Sequence, residues 1–195
     1  MKIISLGGIG GCELAKALRK LNQPAYPYDW LITTQTFVIN SFNDINKFFI
    51  FDKEYVYDES KLLYDKKAIM LHDFNNFLLQ KEEVITKYKR RFERLNESLI
   101  SNEDILFVRI YDNLEEKLIP LNYYNDILIR DEEDIDLWNF FINSIQTKYK
   151  KIKLLIITNK ETINKTYNNI IVIFTKEHNS ENIYNLVQDT LNSAF

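Results

Sequence analysis

Three short runs constrain the fold more than anything else in this sequence. DILFVRIY (104–111), KLLIIT (153–158) and NNIIVIFT (168–175) are apolar almost throughout. A strand with one wet face alternates apolar and polar residues, so runs like these belong to strands covered on both faces. The segments around them carry a helical period instead. Val84, Tyr88, Phe92, Leu95 and Leu99 fall on one stripe across 80–100, and Ile135, Trp138, Phe141, Ile142 and Ile145 form another, ahead of a final helix from about 181. Strands that alternate with helices pair in parallel, because a parallel connection needs a crossover of a dozen residues or more. The expectation is an α/β fold, a mostly parallel central sheet flanked by helices, formed as one domain over residues 1–195.

The N-terminal segment repeats the pattern with a twist. KIISL (2–6) reads as a buried strand and CELAKALRKL (12–21) as a helix with Leu14, Leu18 and Leu21 on one face. All four glycines of the chain lie between them, at positions 7, 8, 10 and 11, although average usage would scatter about a dozen along this length. Such a cluster marks positive φ angles or a close approach by another group. NQPAYPYDWLI (22–32) holds two of the three prolines and reads as an ordered aromatic loop, since proline removes a donor and extends its predecessor. Residues 33–50 read as mostly helical, and EYVYDE and KAIMLHDF as short strands or a hairpin. The run Lys87 to Arg94 is expected to be a solvated helix face, and the acidic run 131–136 to start a helix, where it suits the dipole.

Charge and composition narrow the partners. With 25 basic and 28 acidic residues the net charge is −3, which gives no electrostatic reason to expect nucleic acid or an anionic membrane. The apolar runs fall far short of the roughly 20 residues of a membrane span, and the N-terminus has too short an apolar run for a secretory signal. One cysteine excludes an intramolecular disulfide and points to a reducing compartment, the cytoplasm. One cysteine and two separated histidines offer no metal-ligand spacing, so neither metal nor cofactor is expected. The wealth of Asn, Ile, Lys and Tyr suits the AT-rich genome of a microbe or large virus.

Strand, glycine turn and helix can hold a phosphate on free amides at the helix N-terminus. The dinucleotide fingerprint fails, however: from Gly8, Gly10 and Gly11 onward the third glycine position is Glu13, no acidic ribose-binding residue follows a second strand, and no Walker Gly-Lys-Ser/Thr occurs. A nucleophile fits better. Cys12 stands at the helix N-terminus, whose dipole favours thiolate, and the amides around Gly10 and Gly11 offer an oxyanion hole. Of the two histidines, His72 in LHDF, beside Asp73, is better placed as a base than His178 in KEHNSEN. Arg109, on an apolar strand, needs a carboxylate or anion, with Asp29 and Asp73 as candidate partners. Trp30 and Trp138 read first as core anchors. The competing reading is a non-catalytic binding or host-interaction protein, in which Cys12 is buried and inert and the loop turns the chain or cradles an anion or nucleotide.

Five blocks in order carry a resemblance: SLG followed closely by CELAKALRKL, then AYPYDWLIT, LHDF, KYKRRFERLNESLIS and ILFVR. Together they resemble a family of uncharacterised microbial and viral proteins described as papain-like cysteine peptidases. The resemblance implies Cys12 as nucleophile, His72 as general base, Asp73 or Asp29 as orienting acid, and Trp30 and Arg109 around the site. It implies a peptide or other acyl substrate, whether amide, ester or thioester, and an α+β papain-like arrangement as the alternative fold. Two departures stand out. Four residues, GIGG, separate SLG from Cys12 where the family pattern has two, and Tyr28 replaces the usual Phe.

Overall fold

The computed structural model describes residues 1–43, 55–58, 61–64, 68–70, 75–111, 134–147, 150–159 and 167–195. In chain order the elements are β1 (Lys2–Gly8), α1 (Gly11–Lys20), β2 (Leu31–Thr33), α2 (Gln35–Asn43), β3 (Tyr55–Asp58), β4 (Lys61–Tyr64), β5 (Ala68–Met70), α3 (Phe77–Ile100), β6 (Ile105–Tyr111), α4 (Ile135–Ile145), β7 (Ile152–Thr158), β8 (Ile170–Phe174) and α5 (Ser180–Ala194). The α/β expectation holds. β1, β6, β7 and β8 form a four-stranded sheet in that order, every pair parallel, with Ile105 opposite Lys2 on one side and Ile152 on the other.

Strand parity explains how this sheet is covered. Along β6, Ile105, Phe107 and Tyr111 face a core shared with Tyr88, Phe92 and Leu95 of α3 and Trp138, Phe141 and Ile142 of α4. The alternate residues Leu106, Val108 and Ile110 face Leu14, Ala17 and Leu18 of α1 and Ile183 and Val187 of α5. Every residue of β6 is buried, as a strand packed on both faces must be. Burying a large apolar side chain contributes about 1.5–3 kcal/mol, so these two stripes fix which way each side chain of β6 points.

The segments read as short strands or a hairpin belong to a second sheet. It is antiparallel, with strand order β2-β5-β4-β3. One element differs from expectation: the helix anticipated from residue 33 begins at Gln35, and residues 31–33 form β2, with Leu31, Ile32 and Thr33 opposite Met70, Ile69 and Ala68. Three residues are too few to show a period, and pairing with β5 outweighs local propensity. The aromatic loop before β2 is ordered as expected. It is pinned from α1 and α3, with Arg19 donating to the Gln23 carbonyl, Arg94 donating to the Ala25 carbonyl, and the Tyr26 hydroxyl 3.0 Å from Ser98 Oγ.

Side-chain caps start four of the helices, and ahead of α2 it is Thr34 Oγ1 that accepts from the Phe37 amide at 3.2 Å. Asn76 accepts from the Leu79 amide, Asp134 from those of Asp136 and Leu137, and Asn179 from that of Asn182, each satisfying a first-turn donor. The helix α1 is different, because its N-cap is Gly10 and no side chain caps it. Among the described residues, no helix is long and apolar enough to cross a membrane.

Candidate active site

The glycine loop lies at the carboxyl end of β1, wedged between the end of β6 and the start of β2. The β1–β6 register shifts between Ser5 and Gly8. At Gly8, φ is +106°, and a Cβ there would stand 2.0 Å from the Ile110 carbonyl oxygen. At Gly11, a Cβ would stand 2.5 Å from the Leu31 carbonyl oxygen. No side chain fits either gap, so backbone approach on both sides accounts for glycine here.

Cys12 follows as the second residue of α1 and is half-buried. Its helix starts from a left-handed Gly10, whose carbonyl accepts from the Glu13 amide at 3.0 Å and the Leu14 amide at 3.2 Å. No side chain caps this turn, and the N-terminal end of a helix dipole favours an anion. One turn along α1, Lys16 bonds Glu13 at 2.6 Å. The hydrogen bond to Glu13 and its charge raise the Lys16 ammonium above the ordinary lysine value, and an ionised Cys12 adds to this.

Arg109 projects beneath this loop. It is 2% exposed, and parity puts it on the α3/α4 side of β6, where its guanidinium carbon stands 5.6 Å from the Trp138 ring centroid. Its Nη1 donates to the Leu6 carbonyl at 3.0 Å and to Thr33 Oγ1 at 2.8 Å, and its Nη2 to the Thr33 carbonyl at 2.9 Å. The Thr33 hydroxyl itself donates to Leu6 O at 3.1 Å. Thr33 was not legible as a site residue, since nothing marks a threonine after an apolar pair.

Asp29, one of the two expected partners of Arg109, is held by another arginine. Arg19 Nη2 lies 2.6 Å from Asp29 Oδ2, and the Tyr26 amide donates to the same oxygen at 3.2 Å. The carboxylate is 1% exposed, and its Oδ1 has no hydrogen-bond partner among the described residues. Burial pushes the Asp29 carboxyl above its ordinary value, against the pull of Arg19, the Tyr26 amide and Arg91. Trp30 is half-buried and takes a φ of +67°, a left-handed backbone that an aromatic residue rarely adopts. Its neighbour Leu31 supplies the carbonyl against Gly11.

His72 and Asp73 lie outside the described residues. The last described residue before them, Met70 at the end of β5, pairs with Leu31. His178 is buried just before α5, three residues ahead of Glu181, whose carboxylate pairs with Lys20 at the other end of α1 from Cys12. Among the described residues, no three His, Cys, Asp or Glu side chains gather as metal ligands.

A family model described as "Putative papain-like cysteine peptidase (DUF1796)" matches residues 1–148, the span that holds all five sequence blocks. No curated protein and no solved structure matches the chain.

Proposed function

Since the chain belongs over residues 1–148 to the family described as "Putative papain-like cysteine peptidase (DUF1796)", we propose that it is a thiol hydrolase or acyltransferase with Cys12 as nucleophile and His72 as general base. Asp73 orients the imidazole in this reading, as the carboxylate next to it in the sequence, while Asp29 Oδ2 holds Arg19 and the Tyr26 amide. The observation that carries the proposal is the convergence on Gly11: Cys12 follows it directly, and Leu31, whose carbonyl abuts it, pairs with Met70, two residues before His72 in the sequence.

The steps follow from thiol chemistry. His72 takes the Cys12 Sγ proton, and the thiolate adds to the carbonyl carbon of a peptide or other acyl substrate. Amides around Gly10 and Gly11 receive the oxyanion. The intermediate expels its amine, alcohol or thiol, which takes the proton from the imidazolium, and leaves an acyl thioester on Cys12. Water, or an acceptor nucleophile in the transferase case, releases the acyl group as His72 again accepts a proton. Trp30, half-buried beside Leu31, meets the substrate flank. The whole chain acts as one domain in the cytoplasm, where a lone thiol stays reduced, without metal or cofactor.

A non-catalytic reading draws on one observation, that Ile110 and Leu31 account for the glycines without any ligand. The pH dependence of Cys12 alkylation by iodoacetamide, in the native protein and in His72→Ala, separates the two. Thiolate reactivity with an apparent pKa well below the ordinary 8.5, rising in His72→Ala, is the expected result. Slow labelling indifferent to His72 would overturn the pairing and leave the binding-protein reading.

A further inference from the structure

We propose that Arg109 is a positioning residue that latches the Cys12 loop to β2, and so fixes the place of the thiol. The inference rests on the thiol-hydrolase reading above and deepens it.

The geometry is that of a clamp between backbones. Among the described residues β1 is an edge strand, hydrogen-bonded in its sheet only to β6, and its carboxyl end also meets β2 of the antiparallel sheet. Arg109 spans that seam. One of its nitrogens reaches the last carbonyl before the glycines, at Leu6, and the hydroxyl of Thr33; the other reaches the Thr33 carbonyl. A Cβ at Gly8 would meet the Arg109 guanidinium carbon at 3.3 Å, so the cation packs directly against the loop. Trp138, fully buried, lies 5.6 Å from that carbon and limits its movement. The planar fork suits this job, because it holds several acceptors in fixed directions while a lysine ammonium acts as a point charge. The Leu6 carbonyl, the Thr33 hydroxyl and the Thr33 carbonyl lie on β1 and β2, and through them Arg109 holds the loop.

The prediction concerns Arg109→Met, which keeps length and apolar bulk, and Arg109→Lys. Three readouts are taken on each: thermal unfolding, amide exchange by mass spectrometry, and the pH profile of Cys12 alkylation with and without His72→Ala. In Arg109→Met, amides of residues 7–12 and 31–34 exchange at least tenfold faster while those of α5 keep their native rate. The alkylation midpoint moves towards that of a free thiol and stops responding to His72→Ala; Arg109→Lys recovers part of both effects. A folded Arg109→Met with native loop exchange and a native alkylation profile overturns the proposal. Should Arg109→Met fail to fold, Thr33→Val, which removes only the hydroxyl link, decides: faster loop exchange supports the latch, and native exchange refutes it. If His72→Ala matches wild type in the otherwise native protein, the Cys–His pairing falls, and the loop-exchange comparison alone judges Arg109.

Discussion

Gly8→Ala tests whether close backbone approach, and not a bound ligand, dictates glycine in the loop. The new methyl would start 2.0 Å from the Ile110 carbonyl oxygen, whereas carbon–oxygen contacts in proteins settle at about 3.3–3.6 Å. β1 must therefore withdraw from β6 by about 1.3 Å, at the point where its register has already shifted. Overpacking of this kind costs about 1–3 kcal/mol. The φ of +106° adds a further 1–3 kcal/mol for any residue with a side chain, giving about 4 kcal/mol in all. For a chain of this size each kcal/mol lowers Tm by about 2–4 °C, so circular dichroism should record a fall of about 8–16 °C. Gly11→Ala separates the two causes. It meets the Leu31 carbonyl at 2.5 Å with no positive φ, and should cost only the overpacking share. A Gly8→Ala protein that melts within about 3 °C of wild type, or a Gly11→Ala protein that loses more than Gly8→Ala, would refute the reasoning.

Two further predictions concern buried charge. Burial holds the Asp29 carboxyl above its ordinary value, so the folded protein keeps that proton at pH values where the unfolded chain has released it. Its contribution is greatest below the ordinary carboxylate pKa of about 3.9 and is lost as pH rises through the raised folded value; Asp29→Asn should flatten urea-unfolding stability across that window, and an unchanged slope would contradict the assignment. Lys150, 6% exposed, donates to the Ser98, Leu99 and Ser101 carbonyls at the end of α3, a cation at the negative end of a helix dipole. Lys150→Met leaves those carbonyls without it and should cost about 1–2 kcal/mol, read as a lower urea midpoint with an unchanged slope; a midpoint equal to wild type would show the cap to be idle.

What could be read from the sequence divides along the range of the forces involved. β6 and β7 announced themselves because burial on both faces leaves nothing polar to alternate, β8 by its apolar run although it is only partly buried past Ile170, and α3 and α4 because their apolar stripes match one helical period. The five ordered blocks, likewise local, matched the family over residues 1–148. The pairings were another matter. β2 exists because Leu31–Thr33 finds β5, and a three-residue strand carries no period of its own. An arginine on an apolar strand signalled a need for acceptors but not which ones: carbonyls and a hydroxyl of β1 and β2 serve Arg109, while Asp29 went to Arg19 on the neighbouring helix. Choosing among oppositely charged groups takes the fold itself, since sequence separation says little about distance.

The edge place of β1 has a consequence for the order in which the molecule assembles. Leu154 finds its partner Ile170 after 16 residues, Ile105 finds Ile152 after 47, and Lys2 must wait for Ile105, 103 residues on. Loop-closure entropy, growing as the logarithm of length, makes these cost about 2.5, 3.4 and 4 kcal/mol in turn. The C-terminal strands can thus collect first, and the N-terminal strand, though synthesised first, docks last. During synthesis the segment bearing Cys12 has no parallel neighbour until β6 has emerged. Whatever reactivity that thiol gains from its surroundings is acquired only when more than half of the chain has been made, so a nascent fragment shorter than that carries an ordinary cysteine.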